Sequence, residues 1–266
     1  MTRFTYLKGD SFFHRMDPVM KMIWNVAVLL AAVFNFDPRY SAVWFVYLLA
    51  TAMFLANIPF RQFVKSLSAF LVFAFFIAFW KTVYYVGEAH ELLVWGPFRI
   101  TREGMLEGVS VFFRVLVICS LSIVFTLTTD PKRMVDSLTQ LAHIPYRIGY
   151  VAYAMLRFIP LYENEAQVIT NAHMIRGVGE TGQSLKSQFK LYSTLLVPLL
   201  VSGIRRAQAA AIAMDSRAFG AYDTRTSIEE VRVTRADVAF VAVHVLVCIA
   251  AFWYFVWLGH GIRYYG

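Results

Sequence analysis

Apolar positions along this chain come in long runs, with neither the alternation of a half-buried strand nor the narrow stripe of a soluble helix. Residues 22–36, 41–58, 67–86, 109–127 and 238–258 are dominated by Val, Leu, Ile, Phe, Ala and Trp and carry few charges. A helix crosses the hydrocarbon of a bilayer with about 20 mostly apolar residues, within a usable range of about 17–25. Residues 22–36 reach that range only with their polar flanks; the other four qualify alone. The pattern predicts five transmembrane helices. Asp37-Pro38-Arg39-Tyr40 leaves room only for a turn, so the first two form a tight helical hairpin.

Residues 128–236 follow another rule. They are too long for a structureless connection and too apolar for a solvated tail. Asp130-Pro131 reads as a helix cap followed by proline at the first helical position, and a short amphipathic helix is expected from Lys132 to about Ala142, broken by Pro145. Two segments of the same layout come next. The first has an apolar stretch over 148–161 holding Pro160, then a polar helical stretch over 162–175 that ends at Arg176-Gly177. The second has an apolar stretch over 191–204 holding Pro198, continues through the alanine-rich 207–214, and ends at Arg217-Ala218 with Gly220 just beyond. Apolar stretches of 10–14 residues are too short to span a bilayer. The expectation is a pair of long, proline-kinked helices at or below the membrane face, each with a polar, arginine-bearing tip.

Composition turns this pattern into a class. Of 266 residues, 59% are hydrophobic and only 16% charged, with mean hydropathy +0.56, where soluble domains carry about 25% charged residues. An ordinary water-soluble enzyme is excluded. The 24 Phe exclude a disordered chain, and two cysteines exclude a disulfide scaffold. Cys119 and Cys248 lie inside apolar runs and read as small buried hydrophobes. The fold class is an all-α integral membrane protein, divided into 1–127 (an N-terminal segment and four transmembrane helices), 128–236 (the long helices) and 237–266 (the last transmembrane helix and tail).

Lys and Arg in the flanks give the orientation. Arg3, Lys8, Arg15 and Lys21 precede the first span and the hairpin turn has only Arg39, whereas the next loop has Arg61 and Lys65. In 87–108, Arg99 and Arg102 face four glutamates; thirteen basic residues then fall within 128–237, and the tail has Arg263 alone. The N-terminus and the long segment are therefore expected inside and the C-terminus outside, in a multi-pass membrane protein of a bacterial or archaeal cell. Residues 1–21 lack the apolar core of a cleavable signal peptide. The net charge of +8 is explained by these flanks and anionic headgroups, so no nucleic-acid partner is implied.

Little else suggests chemistry. Gly177 to Ser184 superficially resembles a phosphate-binding loop but carries Gln183 in place of the lysine and follows a helix, not a strand. The six histidines are scattered without ligand spacing, so no metal site is expected. His244 inside the last span reads as hydrogen-bonded to a neighbouring helix, and Arg114 as snorkelling to the outer interface. Glu163 and Glu165 could pair with Arg157 or contact a partner, and spacing does not decide. No paired carboxylates or Ser/Lys or Ser/His pairs occur within the spans, so no catalytic residues are assigned.

Four places, in order, carry a resemblance. Asn171-Ala172-His173-Met174-Ile175-Arg176-Gly177 and Ala213-Met214-Asp215-Ser216-Arg217-Ala218-Phe219-Gly220 look like two X-Arg-X motifs. Met16-Asp17-Pro18-Val19-Met20-Lys21 resembles a Leu-Asp-Pro-Arg-x-Lys opening, and Thr128-Thr129-Asp130-Pro131 an entry to cytoplasmic helices. Together they resemble the transmembrane T component of energy-coupling factor (ECF) transporters over nearly the whole chain. Ile175 stands where that family usually has alanine, and Ser216 and Ala218 where it has alanine and glycine. The resemblance implies that Ile175, Arg176, Gly177 and Ser216, Arg217, Ala218 tip two coupling helices that dock into grooves on a pair of cytoplasmic ATPases. A small membrane-embedded S component would hold a vitamin or transition-metal ion, and ATP and Mg would bind the ATPases, with no cofactor on this chain. The alternative is a conventional ABC importer permease lining its own translocation path, which usually docks through one short coupling helix.

Overall fold

The computed structural model describes residues 6–7, 9–34, 37–84, 91–95, 98–175, 185–222, 226–227 and 229–257, by backbone alone at 91–95, 98–100, 185–192 and 256. Nine α-helices occur among them: α1 Phe12–Arg15, α2 Pro18–Val33, α3 Pro38–Ala50, α4 Phe60–Val83, α5 Arg102–Thr128, α6 Pro131–Gln140, α7 Tyr146–Ile175, α8 Leu185–Asp215 and α9 Arg235–Trp257. One small element joins this helical architecture. Strands β1 Glu91–Trp95 and β2 Phe98–Thr101 pair antiparallel between α4 and α5, with Trp95 opposite Phe98, in a stretch read from sequence as loop.

Three helices start on the same device. In Asp17-Pro18, Asp37-Pro38 and Asp130-Pro131 the aspartate carboxylate accepts from the backbone N–H two residues on, at 2.8 Å (Val19), 2.8 Å (Arg39) and 3.1 Å (Lys132). Proline sits at the first helical position, where its missing N–H costs nothing. Only the third was read from sequence as a cap. The other two move the first helix start back to Pro18 and make the hairpin turn the opening of α3. Because α2 begins early and closes at Val33, it has 16 residues.

Among the described residues, five helices are long and apolar enough to cross a membrane: α3 with its terminal π-turn (Pro38–Leu55), α4, α5, α9 and, unexpectedly, Ser193–Asp215 of α8. The sequence reading took α2 in place of this last one. Its apolar stretch was counted as ending at Ile204, but the helix runs on through the alanines without a break at Pro198.

The chain divides into two compact units, residues 138–230 and residues 3–137 with 231–266. In the second, α5 packs along α4 and α3, and α2 along α9. Residues one helical turn apart line its core: Trp24 and Val28 of α2, Tyr40, Trp44 and Leu48 of α3, Phe63 and Leu67 of α4, Val117, Leu121 and Val124 of α5. Phe13 meets Trp24 at 5.1 Å and Phe240 of α9 at 5.7 Å, edge to face, and Tyr40 meets Phe255 at 4.7 Å. The outward sides of α4 and α9, with Phe73, Phe75, Phe76, Leu246 and Trp253 exposed, suit hydrocarbon.

The other unit is built on α7 and α8, of 30 and 31 residues, each uninterrupted by the proline near its middle. At about 1.5 Å per residue each is roughly 45 Å long. They cross where Gly203 faces Tyr162: a Cβ on Gly203 would lie 2.8 Å from the tyrosine hydroxyl oxygen. Beside the crossing, Arg206 donates to Glu165 at 2.6 Å, its guanidinium 5.9 Å from the Tyr162 ring centre. This resolves the Glu165 question: its partner is Arg206 of α8. Glu163 is exposed.

Candidate functional site

The described tip follows α8. Its last helical residue is Asp215, and the chain closes the helix with two bonds: Ala218 N–H to the Asp215 carbonyl (3.0 Å) and Phe219 N–H to the Met214 carbonyl (3.0 Å). This nested pair is a Schellman turn, which satisfies carbonyls that a helix end leaves without intrahelical partners. The turn needs one left-handed residue, and Ala218 supplies it at φ +52°. Ser216, Arg217 and Ala218 are all exposed on its crest, Arg217 where a cation complements the negative end of the helix.

The turn is braced. Phe219 packs on Tyr146 (5.5 Å) and Tyr150 (4.8 Å) in the first turns of α7. The Tyr146 hydroxyl donates to the Tyr222 carbonyl at 2.8 Å, and Arg147 to the Gly220 carbonyl at 3.1 Å. The start of one long helix thus holds the end of the other, and Arg217 stands on a rigid base. At the other long helix, Ile175 closes α7 and is 88% exposed. Arg176 and Gly177, with the glycine-rich stretch through Ser184, lie outside the described residues.

Ala218 gives a direct prediction. A non-glycine residue in the left-handed region costs roughly 1–2 kcal/mol, and glycine removes that cost against about 0.5–1 kcal/mol of added chain entropy. Ala218→Gly is expected to leave function intact and raise thermal stability slightly. A lowered melting temperature in detergent would show that the turn is not held as described.

A second polar cluster gathers beside the helix starts of the membrane unit, and the sequence reading did not single it out as a site. The Asp17 carboxylate, besides capping α2, accepts from Ser137 Oγ of α6 at 2.8 Å. Lys21 Nζ donates to the carbonyl of Thr128, the last residue of α5, at 2.9 Å. Arg133 of α6 reaches the His14 carbonyl at 3.4 Å, and the Leu7 N–H donates to the Leu127 carbonyl at 3.0 Å. The Asp17-Pro18 and Asp130-Pro131 motifs, over a hundred residues apart, are therefore neighbours in space.

His14, at 7% exposure, closes this cluster. Its Nε2 lies 2.8 Å from the Leu7 carbonyl oxygen and its Nδ1 2.6 Å from Ser11 Oγ. A neutral Nε2–H ring donates to the Leu7 carbonyl and leaves Nδ1 as an acceptor facing the Ser11 hydroxyl, whose single proton is shared with the Ala56 carbonyl at 3.1 Å. Burial lowers its pKa below the ordinary 6.5; the Leu7 carbonyl opposes this, Lys21 adds to it and Asp10 opposes it. The folded protein thus holds the proton less tightly than the unfolded chain. The stabilisation is complete above pH 6.5 and is lost as pH falls from there through the folded value. Between pH 7.5 and 5.5 the wild type should lose more thermal stability than His14→Gln; an equal loss would refute the linkage.

Other candidates resolve simply. His244 Nδ1 lies 2.7 Å from the Phe240 carbonyl of its own helix, so this hydrogen bond is made within α9, and its ring lies 3.9 Å from that of Phe240 and 5.9 Å from that of Tyr47 in α3. Arg114 is half-buried, with its Nε enclosed. No group of histidine, cysteine, aspartate and glutamate suited to a metal ion occurs among the described residues.

Comparison with known proteins agrees with this architecture. The family described as cobalt transport protein (CbiQ) matches residues 9–228. The energy-coupling factor transporter transmembrane protein EcfT of Lactococcus lactis is 27% identical over 256 residues, 93% of this chain and 96% of that protein. EcfT of Listeria innocua is 31% identical, covering 87% and 89%, and EcfT of Bacillus subtilis 27% identical, covering 94% and 96%. With the family model matching residues 9–228 and these relatives covering 87–94% of the chain, the chain belongs to the cobalt transport protein (CbiQ) family, that of the transmembrane T components of energy-coupling factor transporters.

Proposed function

We propose that this chain is the energy-coupling membrane subunit of an ECF-type importer. It links ATP hydrolysis by two cytoplasmic ATPases to movement of a membrane-embedded S component that carries a vitamin or a transition-metal ion. The observation that supports this most is the α8 tip: an exposed arginine on a closed turn, braced by the start of α7. A lone cation at a helix end is worth only about 0.3–1 kcal/mol to its own helix. A rigid, exposed guanidinium is instead the fork of donors that carboxylates and carbonyls of a partner recognise.

In this reading Ile175, Arg176 and Gly177 form one docking tip and Ser216, Arg217 and Ala218 the other, one for each ATPase. Arg206–Glu165 and the Gly203–Tyr162 approach hold the two helices at their crossing, so that displacement of either tip is carried to the other. The apolar sides of α7 and α8, with Ile148, Val151, Met155, Leu196, Val197 and Leu200 exposed, present the surface for the S component. The chain transmits force and makes or breaks no bonds; ATP and Mg reside on the ATPases. The N-terminus and both tips face the cytoplasm, as the basic flanks require.

Co-purification tests the assignment. The tagged chain, extracted in mild detergent from its native host, should bring two ATPase chains and one small, very apolar membrane protein. That protein's ligand would name the cargo. ATPases accompanied by a soluble binding protein would favour a conventional permease, and recovery without any ATPase would reject the coupling role.

A further inference from the structure

The cluster around Asp17 and Lys21 holds two buried charges that the docking tips do not use. Lys21 is 2% exposed and Asp17 6%, and a charge is costly to bury unless it is paired or hydrogen-bonded. Each has a defined task. The Thr128 carbonyl stands at the negative end of α5, where the helix itself supplies no donor, and Lys21 supplies one from α2. Asp17 divides its carboxylate, one oxygen capping α2 and the other receiving Ser137 of α6. The charge around Lys21 comes from Asp17 and Asp237 on one side and Arg133 on the other, and Asp237 accepts from the Thr234 N–H at the start of α9. The ends of α2, α5, α6 and α9 meet here.

Arg133 and Ser137 are four residues apart and so lie on one face of α6. Both reach the 14–21 segment, Arg133 at the His14 carbonyl and Ser137 at the Asp17 carboxylate. We propose that Asp17, Lys21 and Ser137 are positioning residues for energy coupling. They make the first two turns of α6 a fixed part of the membrane unit, with no turning of α6 against α2 and α5 at the Thr129-Asp130 corner. The inference rests on the coupling reading given above.

The test uses the complex as co-purified, with Mg-ATP as the probe and no cargo needed. In Ser137→Ala, amide hydrogen exchange over 133–137 should rise at least tenfold while 116–127 stays within twofold of wild type. ATP turnover at saturating ATP should fall at least threefold, with the KM for ATP and the yield of co-purified ATPase unchanged. Ser137→Thr, which keeps the hydroxyl, should restore both. Unchanged exchange in Ser137→Ala would overturn the anchor, and raised exchange with wild-type turnover would overturn the positioning role. Lys21→Met should reproduce the Ser137→Ala pattern; if it does not assemble, the two Ser137 variants decide. Arg217→Ala is run alongside: if it leaves both ATPase yield and turnover at wild type, the coupling reading fails, whatever the Ser137 variants do.

Discussion

Arg176→Ala combined with Arg217→Ala is expected to reduce ATP-driven uptake to background while membrane insertion stays at wild-type level. An arginine buried at the centre of an interface typically contributes about 2 kcal/mol or more when truncated, on the order of 30-fold in affinity. Two such losses, one on each ATPase, leave the tips with little to hold them. The base beneath Arg217 should survive, because the Schellman turn is closed by backbone bonds and braced by Phe219, Tyr146 and Arg147, none of which is touched. Uptake is measured in proteoliposomes with the ligand of the co-purified S component. Lysine at either position should restore activity only in part if a forked contact is used, since an ammonium is a point charge. Wild-type uptake in the double variant would end the docking role of both tips.

The features most legible in the sequence were those governed by local rules. Long apolar runs marked α3, α4, α5 and α9, and the repeated apolar–proline–polar–arginine layout marked α7 and α8 as a pair. Asp130-Pro131 was read as a cap because an amphipathic helix visibly follows. Asp17-Pro18 obeys the same rule but was passed over, since Lys21 in the next turn reads as a membrane flank; only its tertiary partner, the Thr128 carbonyl, explains a lysine buried there. The apolar length of α8 was undercounted. The stretch was ended at Ile204, before Arg205-Arg206, yet the alanines beyond them extend the apolar helix over Ser193–Asp215. Pairings such as Glu165–Arg206 and Asp17–Ser137 join residues 41 and 120 apart, where spacing carries no information. Ala218 shows the limit of motif reading: alanine in place of the usual glycine weakened the match, although the backbone there keeps the glycine-like left-handed conformation.

In the membrane unit, α4 and α5 approach each other closely at Gly108. A Cβ at this position would overlap the Thr82 hydroxyl oxygen outright and come within 2.9 Å of the Ala78 carbonyl oxygen. The hydroxyl cannot turn away freely, because it donates to that same carbonyl at 2.9 Å. Small residues permit such close approach of helices in membranes, where van der Waals contact rather than water exclusion drives association. Gly108→Val must therefore part the two helices. Overpacking of this kind costs typically 1–3 kcal/mol and occasionally more, and here the obstacle includes backbone, so a loss of about 3 kcal/mol is expected. The variant should be recovered in low yield, with a much lower melting temperature in detergent. Thr82→Ala in the same chain should return part of the loss, because it removes the hydroxyl but leaves the Ala78 carbonyl in place. A Gly108→Val protein as stable as wild type would mean that α4 and α5 do not meet at this distance. Full rescue by Thr82→Ala would assign the whole obstacle to the side chain and none to the backbone.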